Sequence, residues 1–134
     1  MTEPIWGIIG GTGLYAIDGF KTLETRTIET PFGKPSSPLV IGELGKTKVA
    51  FLPRHGNHHQ LMPSEINYRA NIWAMKTVGV KRIISVSATG SLVREIEPGD
   101  IAIPHQYLDW TRGRRAGSFY GEGLVAHISS DDPK

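Results

Sequence analysis

Three short stretches carry residue types suited to holding an anion. The first is Gly10-Gly11-Thr12-Gly13, where a glycine loop exposes backbone N–H groups and Thr12 adds a hydroxyl donor, a combination that suits phosphate. The second is Arg54-His55-Gly56-Asn57-His58-His59. An arginine grips phosphate through a planar fork of donors, each charge-assisted bond worth about 1.5–3 kcal/mol. His55, next in the chain, can donate to the same anion. The third is Ser87-Ala88-Thr89-Gly90-Ser91, whose small residues let a ligand approach the backbone and whose hydroxyls can share an oxyanion. Each stretch alone also reads as a polar turn. Taken together, Gly/Thr, Arg/His and Ser/Ala describe one phosphate site.

Other chemistries fit less well. Gly11 to Ala16 (GTGLYA) satisfies the G-x-G-x-x-G/A dinucleotide pattern. That pattern needs a helix to start at once so that its N-terminus faces the pyrophosphate, and Asp18-Gly19 would end any such helix after about one turn. His55, His58 and His59 could begin a zinc site, but Glu65 is the sole nearby acid able to complete a tetrahedron. Cysteine is absent, which excludes disulfides, thiolate metal sites and a thiol nucleophile. No metal site is expected.

The elements that must position these loops follow from hydrophobic patterning. A short apolar run at 5–9 ends at Gly10-Gly11 and reads as a buried strand entering a loop. Residues 22–30 are rich in β-branched types and partly alternate, as a strand with one wet face does. Runs at 39–44 and 47–52 flank Gly45-Lys46, a hairpin signature. Residues 63–78 predict a helix with Pro63 at its first position, Gly79 beyond its end, and an apolar face of Ile66, Ala70, Trp73 and Thr77 widened by Ile72 and Met75. Strands are expected at 80–87 and, after the turn Glu97-Pro98-Gly99-Asp100, at 101–104. Strand, helix, strand with a glycine-containing loop is the α/β pattern, in which ligands gather at the carboxyl ends of strands.

Composition narrows the partners. With 15 Lys+Arg against 13 Asp+Glu the net charge is +2, and the densest basic cluster, Arg112, Arg114 and Arg115, reads as a solvated face. Binders of nucleic acid or membrane surfaces concentrate more positive charge, so neither partner is expected. No run reaches the ~18 apolar residues that span a bilayer, and the N-terminus lacks a basic signal region. A soluble cytoplasmic protein is the expectation. Hydrophobic residues at 39% suffice for a core. The 16 glycines and 9 prolines lie between apolar runs, as in a compact fold with many tight turns.

With these loops in view, the sequence resembles the trimeric purine nucleoside phosphorylases, in the branch that cleaves S-methyl-5′-thioadenosine. The matching text is GIIGGTGLY at 7–15, TPFGKPS at 30–36, RHGNHHQLMPSEINYRANIWAMK at 54–76, SATGSL at 87–92, EPGDIAIP at 97–104, and SFYGEG followed by AHIS within 118–129. The resemblance implies an α/β fold with a mixed central sheet flanked by helices, residues 1–134 forming the N-terminal part of one such domain. It implies phosphate held by Thr12, Arg54, His55, Ser87 and Ala88. Ala88, Thr89 and Gly90 would form a backbone wall beside ribose and base. His127 would reach the 5′-alkylthio pocket of a neighbouring subunit, as in a homotrimer. Asp109-Trp110-Thr111 departs from the Asp-Arg-Thr common in the family, and Trp110 is given no role.

The implied reaction is phosphorolysis of a purine nucleoside to free purine and a pentose 1-phosphate, as in purine and methionine salvage. Inorganic phosphate is the co-substrate and no cofactor is implied. The match covers the first half of a family subunit. The leaving-group acid, a further phosphate-binding threonine and a methionine under the ribose would belong to the second half. The 134-residue chain alone is therefore expected to turn over no nucleoside, whether it is a fragment, a truncated inactive form, or one of two pieces of a split subunit with a separate C-terminal half. The contrasting reading is a non-catalytic phosphate- or nucleoside-binding module.

Overall fold

The computed structural model describes residues 6–11, 17–111, 117–121 and 123–126. Five strands form a mixed sheet: β1 (Trp6–Gly10), β2 (Phe20–Arg26), β3 (Leu39–Leu44), β4 (Thr47–Pro53) and β5 (Arg82–Ser85), in the spatial order β2-β3-β4-β1-β5. One helix, α1 (Tyr68–Thr77), connects β4 to β5. β1 lies between β4 and β5 and runs parallel to both, while β2, β3 and β4 form an antiparallel meander. The β3–β4 hairpin turns at Gly45-Lys46, where Gly45 takes φ +61°. A two-residue hairpin turn demands such a conformation at its first position, and glycine adopts it without a Cβ clash.

The core lies between the sheet and α1. Ile9 of β1, Leu39 and Ile41 of β3, and Ala50 and Leu52 of β4 pack with Ala74, Met75, Val78 and Val80. Gly7 lets β1 approach this layer, since an added Cβ would stand 2.8 Å from Val80 Cγ1 and 3.0 Å from Met75 Sδ. The helix ends in paired reverse bonds: Val80 N–H donates to Met75 O (3.1 Å) and Gly79 N–H to Lys76 O (3.0 Å), with Gly79 at φ +86°. This is a Schellman ending, and Met75 and Val80 supply the apolar contact that accompanies it.

The helix starts later than patterning predicts. Residues 63–65 form a turn, and α1 begins after Asn67, whose side-chain oxygen accepts from Ala70 N–H (3.1 Å). An asparagine cap satisfies a first-turn donor that Pro63 at the first position cannot. The buried face is also rotated. Ala70, Asn71, Ala74 and Met75 point inward, while Ile72, Trp73 and Thr77 are exposed. The cause is polar. Asn71 is 2% exposed, its Oδ1 accepts from Ser36 N–H (2.8 Å) and its Nδ2 donates to Ser36 Oγ (2.9 Å). One turn earlier, Asn67 Nδ2 donates to Phe32 O (2.6 Å). The two amides staple the turn-rich loop 30–37 onto the helix. Phe32 completes the contact edge-on to Trp73 (5.6 Å) and under the Arg69 guanidinium (5.0 Å).

Two other expectations change. The strand expected at 22–30 is shifted to Phe20–Arg26, because Thr30 instead closes a turn, donating through Oγ1 to Gly33 O (2.6 Å). No strand forms at 101–104, where Ile101 and Ile103 are 93% and 90% exposed and no neighbouring strand is present among the described residues to pair with them. The mixed sheet itself is the one expected, and α1 is the one helix among the described residues.

Candidate functional site

β4 is apolar through Val49–Leu52 and ends at Pro53, which cannot donate to a further ladder bond. The chain turns there and Arg54 follows. Its backbone N–H donates to Gly10 O (3.0 Å), so the end of β4 is registered against the end of β1. On the other flank Val86 N–H donates to Ile9 O (3.0 Å), registering the exit of β5 in the same way. The carboxyl ends of three parallel strands therefore lie side by side, and the three loops singled out by chemistry leave from them.

Arg54 is half-buried and reaches across this junction. Nη1 donates to Val86 O (2.6 Å), Nη2 to Ser87 Oγ (2.9 Å) and Nε to His55 Nε2 (3.2 Å). A guanidinium has five N–H bonds, so these three leave one on each terminal nitrogen. Among the described residues Arg54 forms no ion pair, the one present being Arg26–Glu24 at the far edge of the sheet. A fixed positive charge with two unspent donors and no carboxylate partner is a seat for an anion. Gly11 borders it closely. A Cβ added there would stand 3.3 Å from Arg54 Nη2 and 3.9 Å from His55 Cδ2.

His55 is 9% exposed. Its Nδ1 lies 2.9 Å from Leu61 O and its Nε2 faces Arg54, so both ring nitrogens are engaged. The expected donation from His55 to an anion has no free N–H behind it in this arrangement. Gly56, at φ +80°, lets the chain turn back, and His55 O accepts from Leu61 N–H (3.0 Å). His59, at φ +54°, sets its ring 4.6 Å from that of His55. Among the described residues, His58 included, no group of three or more His, Cys, Asp or Glu could hold an ion.

Ser87 accepts from Arg54, which leaves its own hydroxyl hydrogen for a ligand. Ala88, Thr89 and Gly90 follow on an exposed path, and a Cβ at Gly90 would meet nothing within 4 Å, so that stretch is open to a ligand. Thr12 and His127 lie outside the described residues. Sequence reasoning missed Asn67 and Asn71, which anchor the 30–37 loop. Their four-residue spacing, one turn on one helix face, was a signal that an apolar reading of the helix passes over.

No helix among the described residues is long and apolar enough to cross a membrane. The family model described as Phosphorylase superfamily matches residues 6–134. The S-methyl-5′-thioadenosine phosphorylase of Geobacter sulfurreducens is 53% identical over 131 residues, covering 98% of this chain and 46% of that protein. The enzyme of the same name from Thermococcus kodakarensis is 50% identical, with 97% and 49% covered. Among solved structures, a methylthioadenosine phosphorylase from an antarctic soil metagenomic library superposes with a TM-score of 0.89 at 50% identity, covering 98% of this chain and 45% of that one. Methylthioadenosine phosphorylase from Schistosoma mansoni in complex with tubercidin gives 0.87 at 42% identity, with 98% and 47% covered. The chain spans about half the length of the relatives it matches.

Proposed function

From a chain that belongs to the phosphorylase superfamily, we propose phosphorolysis of S-methyl-5′-thioadenosine or a close purine nucleoside. The protein contributes the phosphate half of the site. One observation carries this reading: Arg54, Ser87 and Gly11 meet at the carboxyl ends of three parallel strands, with two guanidinium N–H bonds unspent. Thr12, Arg54, Ser87 and Ala88 make up the phosphate cradle, with the His55 ring against Arg54 rather than on the anion, and Ala88, Thr89 and Gly90 lie along the nucleoside. His127 serves a neighbouring copy in a trimer. The relatives' names and their 50–53% identity support the phosphorolysis reading.

In the reaction a phosphate oxygen forms a bond to C1′ as the C1′–N bond to the purine breaks. The bonding pair leaves with the base, which takes up a proton. The sugar passes through an oxocarbenium-like transition state, as in glycoside cleavage. Phosphate held by Arg54 and Ser87 is both nucleophile and counter-charge to that cation, so catalysis rests on positioning and preorganised charge. No protein nucleophile and no cofactor take part. Both reactants are small polar metabolites, in keeping with a cytoplasmic salvage reaction.

The test is adenine release from methylthioadenosine, with and without phosphate. It is run on the chain alone and on the chain mixed with a polypeptide matching the remaining half of a relative. The expected result is phosphate-dependent release in the mixture alone, reduced at least about ten-fold by Arg54→Ala, the loss of a charge-assisted bond. Nucleoside binding without turnover in the mixture would overturn the reading in favour of a binding module.

A further inference from the structure

The two contacts of the His55 ring select the same protonation state independently. Arg54 Nε can only donate, so His55 Nε2 at 3.2 Å must present its lone pair. Leu61 O can only accept, so Nδ1 at 2.9 Å must carry the hydrogen. The ring is thereby fixed as the neutral Nδ1–H tautomer, and it has no N–H left to offer an anion.

We propose that His55 is a positioning residue: its neutral imidazole accepts from Arg54 Nε and holds the guanidinium so that the free terminal N–H bonds face the anion. This rests on the reading of Arg54 as the phosphate ligand. The ring is well anchored for the task. It is 9% exposed, bonded to Leu61 O through Nδ1, and its own carbonyl accepts from Leu61 N–H (3.0 Å). Behind it Gly56 turns the chain at φ +80°, where an added Cβ would collide with the Gln60 side chain. The titratable groups in contact with the ring are Arg54 and, at 4.6 Å between centroids, His59.

Sulfate is the probe and calorimetry the readout. His55→Gln keeps an acceptor for Arg54 Nε and is expected to hold sulfate within a few-fold of the unmodified protein. His55→Ala leaves Nε without that acceptor and is expected to bind about ten-fold more weakly, the worth of one bond to a charged group. Melting curves of both variants separate loss of the anion seat from loss of the fold. The nitrogen NMR shifts of the His55 ring, read with sulfate bound, are expected to mark Nδ1 as the protonated nitrogen and Nε2 as bare. A hydrogen on Nε2 in the bound state, or a folded His55→Gln variant as weak as His55→Ala, overturns the proposal. If Arg54→Ala retains sulfate, it is the phosphate-site reading that fails.

Discussion

At the scale of single residues, Gly11 and Arg54 set each other's limits. A Cβ at residue 11 would approach Arg54 Nη2 to 3.3 Å, tight enough that the guanidinium must move by a few tenths of an ångström. Such a shift in a positioned charge costs more in ligand geometry than in stability. Gly11→Ala is therefore expected to weaken phosphate binding several-fold while leaving the thermal midpoint nearly unchanged, which calorimetry beside a melting curve would show. An equal fall in both would mean that Gly11 serves the fold alone. The residue types that meet at this junction were legible in the sequence, because arginine, serine and glycine at strand ends stand out from apolar runs. The division of labour was not. That His55 faces Arg54 and Leu61 depends on where two ring nitrogens point, which spacing does not encode.

At the scale of elements, α1 does two jobs with one face. Its apolar residues meet the sheet, and Asn67 and Asn71 hold the 30–37 loop one turn apart. Removing the Asn71 amide strands the Ser36 N–H beside a buried helix face, and an unsatisfied group of that kind costs about 1–3 kcal/mol. Asn71→Ala should lower the unfolding free energy by that amount in a denaturant titration, whereas exposed Ile72→Ala should change it much less. Equal losses would show that the amide bonds contribute nothing beyond packing. The strands β1, β3, β4 and β5 were readable from apolar runs and the Gly45-Lys46 turn to within a few residues. The helix register was not, because period-3.6 patterning counts only apolar side chains and the inward positions here include an amide. The expected strand at 101–104 shows a further limit. Apolar composition marks a segment that wants burial, and only a neighbouring strand turns it into one.

At the scale of the whole molecule, the described structure divides unevenly. The core ends at Val80, β5 is exposed along its length, and residues 86–111 form no helix or strand and contribute nothing to the buried cluster. Backbone outside elements and core opens at little free-energy cost and is the first to admit a protease. In limited trypsin digestion of the 134-residue chain, the first cut within residues 17–111 should fall at exposed Arg94, ahead of Lys46, Arg54 and Arg69, as mass spectrometry of early fragments would establish. Early cleavage at Arg54 would contradict the strand-end junction described above. That junction also has a consequence for descent. Arg54 fastens the exit of β5 by its bonds to Val86 O and Ser87 Oγ while offering its remaining hydrogens to a ligand. A lysine in its place would bring a single nitrogen and could not serve two acceptors and an anion with the same geometry. A lineage that abandoned the ligand would still meet a cost in replacing the arginine, because the exit of β5 would lose two hydrogen bonds.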